Sequence, residues 1–347
     1  MRKVKFGIIG TGGIAGLHAQ AIAATRNAEL CLVYDAIPER AAAFARTHHC
    51  HAVKTLKEFL ASDIEAVTIA TPSGLHGEVA IPAAQAGKHI LCEKPLETTV
   101  SKTNELVRTC ERCNVRLSAV FQSRFLRSVQ WIKEAVDAGR FGEPVLAAAS
   151  VRWLRTPEYY ASATWRGTWA LDGGGALMNQ GIHTVDLLLY FNGDVSEVTG
   201  HTTRIMHKAI EVEDTVVALL KFKNHSLGTI EASTACYPGL PRRVELSGTQ
   251  GSVLLEDDRI LRWSFADEQP EDAEIRRLGA EGEGQIGGAS QPLAISPDGH
   301  RRQIEELASA ILNGEGLTTP GAEGKRAIEL ICAVYESART GEAVKFL

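Results

Sequence analysis

Four things are missing from this chain of 347 residues, and each absence closes a class of function. There is no surplus of positive charge: the net charge is -5 and the pI is near 6.1, so no basic field exists for nucleic acid or an anionic membrane. There is no long apolar run. The opening MRKVKFGIIGTGG breaks at a glycine after a few apolar residues, too short for a secretory leader or a membrane span. There is no disulfide framework, because seven cysteines are an odd number scattered along the chain. Repeats and charged low-complexity tails are absent as well. A cytoplasmic location is therefore expected, and the length argues for two domains.

What is present begins with alternation. VKFGII (4–9), ELCLVYD (29–35), EAVTIA (65–70), HILCEK (89–94) and VRLSAV (115–120) read as strands, separated by helical stretches such as PERAAAFARTH and TVSKTNELVRTCERC. Strand–helix alternation of this kind predicts a doubly wound, parallel α/β sheet with right-handed crossovers. Between the first strand and the first helix stands Gly10-Thr11-Gly12-Gly13-Ile14-Ala15, a GxGxxA turn. The first glycine allows the tight turn, the second lets backbone amides approach a pyrophosphate, and the small alanine allows close helix–strand packing. Asp35, at the end of the second strand, is placed to accept a ribose hydroxyl and to repel a 2′-phosphate. NAD rather than NADP is expected, held by Gly10, Thr11, Gly12, Gly13, Ile14 and Asp35. Thr71, Pro72 and His76 follow the next strand and are expected to line the same crevice, as are Glu93 and Lys94.

From Pro144 the pattern changes. VLAAASVRW, VSEVTGHTTRI, DTVVALLKF, SLGTIEAST, RRVELSGT and GSVLLE are successive strand candidates with short connections, which predicts a large, mostly antiparallel sheet in an α+β domain. Two helices precede most of it, near 125–138 and 174–190. Val216, Ala218 and Leu220 alternate as a face packed on helices, leaving the opposite face for a partner subunit. Residues 279–299, rich in glycine and proline, are expected as a mobile loop. The division expected is 1–122 for the cofactor and 123–347 for substrate binding and oligomerisation.

Two segments carry chemistry. Cys92-Glu93-Lys94-Pro95 closes the HILCEK strand, at the ligand edge of such a sheet. DGGGALMNQGIHTVD (172–186) sets Asn179, His183 and Asp186 at spacings of four and three, on one helical face. Its three glycines would leave room for substrate or nicotinamide. Cys110 and Cys113 lack the second pair that a zinc site needs, and His48, His49, Cys50 and His51 fall where a helix runs out. No metal is expected at either.

In order along the chain, GIIGTGGIA, TPSGLH, EKPL and GGGALMNQGIHTVD resemble the oxidoreductases grouped with glucose-fructose oxidoreductase and inositol dehydrogenase, the Gfo/Idh/MocA family. The resemblance implies a Rossmann domain, then an antiparallel substrate domain, with homodimers or homotetramers formed through the open sheet face. It implies that Lys94 and His183 are the catalytic pair, that Arg166 of Trp165-Arg166 lies near cofactor or substrate, and that Arg124 enters the substrate domain. Many relatives carry aspartate where this chain has Asn179; an amide orients a ring but adds no charge. Asn179 with His183 resembles the branch that oxidises nucleotide-linked sugar acids. The expected reaction is hydride transfer from a secondary hydroxyl of a sugar, sugar acid, nucleotide sugar or cyclitol. His183 would be the acid/base, Lys94 the stabiliser of the alkoxide, and Asn179, Arg124, Lys94 and His183 the substrate contacts, although the roles of Lys94 and His183 could be exchanged. The alternatives are an enzyme that oxidises a sugar only transiently and a non-catalytic NAD sensor.

Overall fold

The computed structural model describes residues 2–283 and 296–346. The chain divides into two compact units, and not by a single cut after residue 122. One unit combines the residues up to Gln122 with Pro297–Lys325; the other combines Ser123–Ser296 with Arg326 onward.

In the first unit, β1 (Val4–Ile9), β2 (Ala28–Tyr34), β3 (His51–Ala52), β4 (Ala66–Ile69), β5 (His89–Cys92) and β6 (Leu117–Ala119) form one sheet. Every pairing is parallel and the order is β3-β2-β1-β4-β5-β6, the doubly wound order of dinucleotide-binding sheets. Val4, Phe6, Ile8 and Ile9 of β1 and all four residues of β4 are buried, as expected for strands covered on both faces. The intervening helices are α1 (Gly13–Ala23), α2 (Pro38–His48), α3 (Leu56–Ala61), α4 (His76–Gln85) and α5 (Val100–Arg112).

The second unit contains α6 (Arg127–Asp137), α7 (Pro157–Ala161), a π-helix (Ala176–Gly181) running into α8 (Ile182–Asn192), and α9 (Asp272–Glu281). Its strands are β7 (Pro144–Arg152), β8 (Val195–Thr203), β9 (Thr215–Phe222), β10 (Leu227–Ser233), β11 (Arg243–Gly248), β12 (Gly251–Glu256), β13 (Arg259–Phe265) and β14 (Val344–Lys345). They make an eight-stranded sheet, antiparallel except where β10 runs parallel to β7. Val216, Ala218 and Leu220 are buried on the face covered by α8 and the π-helix. The other face exposes Leu146, Val217, Leu219 and Leu227, each about half accessible. Leu146 and Leu227 are register partners on adjacent strands, so these side chains form one apolar stripe.

Two late helices close the chain, α10 (Asp298–Asn313) and α11 (Gly321–Thr340). Helix α10 belongs with the first unit because Ile304, Leu307 and Ala308 are fully buried in the same cluster as Val4, Phe6, Ala19 and Ile22. Burying an Ile or Leu side chain stabilises by roughly 1.5–3 kcal/mol. Polar bonds fix its register: Gln303 Nε2 donates to Ser118 Oγ at 3.0 Å and Thr319 Oγ1 at 2.7 Å, and Asn27 Nδ2 donates to Glu305 O at 3.2 Å. Most of the breaker-rich stretch 279–299 lies outside the described residues; at its margins α9 ends at Glu281 and α10 starts at Asp298.

Candidate active site

The candidate residues of the first unit gather at the turn after β1. Gly10 has φ +90°, and a Cβ there would lie 2.8 Å from the Ala70 backbone, so only glycine fits. Gly12 and Gly13 differ: a Cβ on either would meet no atom within 4 Å. Helix α1 starts in that open space with no side-chain cap and no acidic residue in its first turn. Its amides and positive dipole end are left for an anion from outside the chain. Asp35 is held in place: Oδ2 accepts from Thr11 N and Thr11 Oγ1, both at 2.8 Å, and Oδ1 accepts from Ile37 N at 2.9 Å. Beside the turn, Thr71 Oγ1 is buried with no hydrogen-bond partner among the described residues. An uncapped helix start, open glycines, an anchored carboxylate and an orphan hydroxyl fit a dinucleotide.

The candidate residues of the second unit are built on the triple glycine. Gly173 and Gly174 have φ +79° and +157°. A Cβ on Gly174 would sit 2.3 Å from the Tyr335 hydroxyl, and one on Gly175 would sit 1.8 Å from Glu213 O. The glycines therefore make room for the protein itself, where a ligand was expected. Glu213 Oε2 accepts from Gly175 N at 2.9 Å, its Oε1 from Leu177 N at 2.8 Å, and its backbone oxygen from Ala176 N at 3.1 Å. Tyr335 OH donates to Glu213 Oε1 at 2.9 Å and accepts from Met178 N at 3.2 Å. Four successive amides, 175 to 178, are thus capped from two distant residues. Burial raises the Glu213 carboxyl to about 7, against the pull of those donors.

From Asp172 to Leu189 every residue is buried except Asn179 and His183, which are half-buried. Asn179 Nδ2 donates to Asp172 Oδ1, and Asp172 Oδ2 accepts from Gly167 N at 2.8 Å. Gln180 Nε2 donates to Asn179 Oδ1 and to Tyr159 OH, the latter at 2.9 Å. Its Oε1 accepts from Arg155 Nε and Nη2 at 3.1 and 2.8 Å, and Arg166 Nη1 donates to Tyr159 OH at 2.7 Å. One amide side chain is thus tied both to a carboxylate and to an arginine–tyrosine network.

Residues 4–121 match the oxidoreductase family described by an NAD-binding Rossmann fold, and residues 129–254 match the Gfo/Idh/MocA C-terminal domain. The WlbA dehydrogenase of Bordetella pertussis, solved with NADH and UDP-GlcNAcA, is 34% identical, with a TM-score of 0.90 over 100% of this chain and 98% of that one. This chain belongs to the Gfo/Idh/MocA family. It is an NAD-binding oxidoreductase. Other members line up equally fully. The WlbA dehydrogenase of Chromobacterium violaceum, solved with the same two ligands, is 31% identical, with a TM-score of 0.90 and coverage of 100% and 97%. The inositol 2-dehydrogenase of Rhizobium meliloti is 27% identical over 96% of each chain.

Within this Gfo/Idh/MocA chain, several expected ligand contacts have other work. His76 is buried, with Nδ1 at 2.8 Å from Pro95 O and Nε2 at 3.0 Å from Thr71 O, so it ties two crevice segments together. Burial lowers its pKa, and a neutral ring donates to one of these oxygens at a time. Glu93 is buried against His18, and its other oxygen accepts from Lys94 N at 3.1 Å. Arg124 was expected at the substrate, yet it is sealed in a buried pair with Asp186, Nη2 to Oδ1 at 2.7 Å and Nε to Oδ2 at 2.9 Å. Asp186 thereby leaves the stripe shared by Asn179 and His183. Arg166 is half-buried and stacks 4.4 Å over the Tyr159 ring. His48 ends α2 and His49 takes a left-handed conformation beyond it, as a helix running into a loop requires. Sequence reasoning missed Asp172, Glu213 and Tyr335. Asp172 had a signal, since it opens the glycine run; the other two lie 38 and 160 residues beyond Gly175 with no local mark.

Proposed function

We propose that this oxidoreductase oxidises a secondary hydroxyl of a nucleotide-linked sugar acid. The observation that carries the reading is the half-buried pair Asn179 and His183 on an otherwise sealed wall. It stands in a chain 34% identical, end to end, to a dehydrogenase solved with NADH and UDP-GlcNAcA. The positive neighbourhood of Arg155 and Arg166 behind that pair supports an anionic substrate. Bound NAD supplies the hydride acceptor. His183 takes the hydroxyl proton, a role suited to imidazole near pH 7. The Lys94 ammonium hydrogen-bonds the same oxygen and stabilises its developing charge. Asn179, held between Asp172 and Gln180, orients the substrate or the imidazole. Homo-oligomers form through the apolar stripe of Leu146, Val217, Leu219 and Leu227.

The test is NADH formation from NAD across UDP-GlcNAcA, inositols, free sugars and uronic acids, with Lys94→Ala and His183→Ala alongside. UDP-GlcNAcA should lead, and either variant should lose most turnover while still binding NAD. Near wild-type turnover in both variants would overturn the catalytic pair. Product formed without net NADH would assign transient oxidation with the cofactor recycled in place, and NAD binding without turnover of any substrate would assign a sensor.

A further inference from the structure

Three titratable side chains of the first unit lie together in the interior. His18, on the second turn of α1, is fully buried; Glu93 follows β5; His300 is on α10. His18 Nε2 lies 2.8 Å from Glu93 Oε1, and His18 Nδ1 lies 3.1 Å from Thr68 Oγ1 on β4. His300 Nε2 is 3.9 Å from the same carboxylate oxygen, and its ring meets that of His18 edge-on, with centroids 5.2 Å apart. The second oxygen, Glu93 Oε2, accepts from the Lys94 amide, while Glu93 N donates to Ile69 O at 3.0 Å. One carboxylate therefore gathers α1, β4, β5 and α10 at the residue that precedes Lys94.

We propose that His18 and Glu93, packed against the neutral ring of His300, form a buried positioning relay that locks Lys94 to the nucleotide-binding helix. The proposal rests on the reading of Lys94 as the group that stabilises the substrate oxygen. Its electrostatics are one-sided. Burial pushes the Glu93 carboxyl up, but the hydrogen bond with His18, together with Lys94, holds it at about 2. His300 is pushed down to about 3 by burial and by His18, so it packs as a neutral ring. The other titratable groups around Glu93 are His76, itself lowered by burial, the Cys92 thiol, raised by burial, and Glu97. None of these adds a cation, which leaves Lys94 to balance the charge.

These three side chains are also close enough to be considered as metal ligands. The 2.8 Å contact between His18 and Glu93 is the length of a hydrogen bond with a proton between the atoms, and that favours the relay.

The experiment compares Glu93→Gln and His18→Gln with Lys94→Ala and wild type. It reads NAD affinity, kcat, KM, the pH–kcat profile and bound metal by elemental analysis. The relay predicts that Glu93→Gln lowers kcat by about 10–100-fold, the scale of a displaced catalytic group, with NAD affinity and KM little changed. It also predicts that the alkaline limb of the profile moves to lower pH, because the carboxylate that favours the Lys94 ammonium is gone. His18→Gln, which keeps a donor toward Glu93 and retains the carboxylate, should lower kcat and move the limb by less. His300→Phe, which keeps a neutral ring, gives a folded control if either variant fails to fold, and should retain the wild-type profile. A kcat loss with an unmoved limb would overturn the relay, as would a stoichiometric transition metal whose removal abolishes turnover. If Lys94→Ala retains turnover, the underlying reading fails instead; if Lys94→Ala fails and Glu93→Gln turns over normally, only the relay fails.

Discussion

The helix start at Gly12 and Gly13 and the one at Gly174 and Gly175 are filled in opposite ways. At Gly12 and Gly13 a side chain would meet nothing, and α1 has no cap of its own. At Gly174 and Gly175 a side chain would collide with Tyr335 and Glu213, which already cap the amides of residues 175 to 178. Every helix start presents unsatisfied amides and favours negative charge. The first unit leaves that demand open, where a cofactor phosphate can meet it; the second meets it with its own carboxylate. Glycine before a helix is thus ambiguous by itself. What separates a binding turn from a packed one is whether the vacated volume is already occupied.

The sharpest way to break the contrast is to add one methyl group on each side. Gly175→Ala places its Cβ 1.8 Å from a backbone oxygen and should cost about 4 kcal/mol or more, read as a collapse of the thermal transition. Gly12→Ala, in open space, should leave folding within about 0.5 kcal/mol while weakening NAD binding measured by calorimetry. Equal Tm losses in the two variants would contradict the contrast. Next in size is Glu213→Gln, which turns an amide donor toward a backbone donor and should cost about 1–3 kcal/mol, with a fall in kcat as the segment bearing Asn179 and His183 loosens.

Two of the buried glutamates, Glu213 and Glu93, give opposite pH slopes. Glu213 is raised to about 7 from an ordinary 4.5, so its contribution is fully present below pH 4.5 and is lost as pH rises through 7. Glu93 is lowered to about 2, so its contribution is present above pH 4.5 and is lost as pH falls toward 2. Melting followed from pH 2 to 8 should show both slopes, and Glu213→Gln should flatten only the upper one. The smallest effect expected is at Asp35. Asp35→Asn should lower NAD affinity about tenfold, or ~1.4 kcal/mol, and narrow the preference over NADP, measured by titration with each cofactor.

What could be read from sequence was what is local. The GxGxxA turn and Asp35 lie within one strand–helix–strand unit, so their order alone placed them. The spacing of four between Asn179 and His183 set both on the accessible side even though the first turn is a π-helix, because the same chain direction is kept into α8. Asp186 was misread because its partner Arg124 lies 62 residues away, and a spacing rule has no access to a buried ion pair. The triple glycine was recognised as necessary, but its occupants come from the segment just before β9 and from α11. His18 carries no local mark either, because its partner Glu93 lies 75 residues away.

The placement of α10 also sets an order of events during synthesis. Phe6 and Ile8, made roughly 300 residues before Ile304 and Leu307, share their cluster with them. Pro297 emerges roughly 175 residues after Gln122. At about 5–20 residues per second, the parallel sheet waits on the order of ten to thirty seconds with one flank uncovered. During that interval nearly all of the second unit emerges and can fold. The half of the protein that carries the nucleotide turn is begun first and completed late.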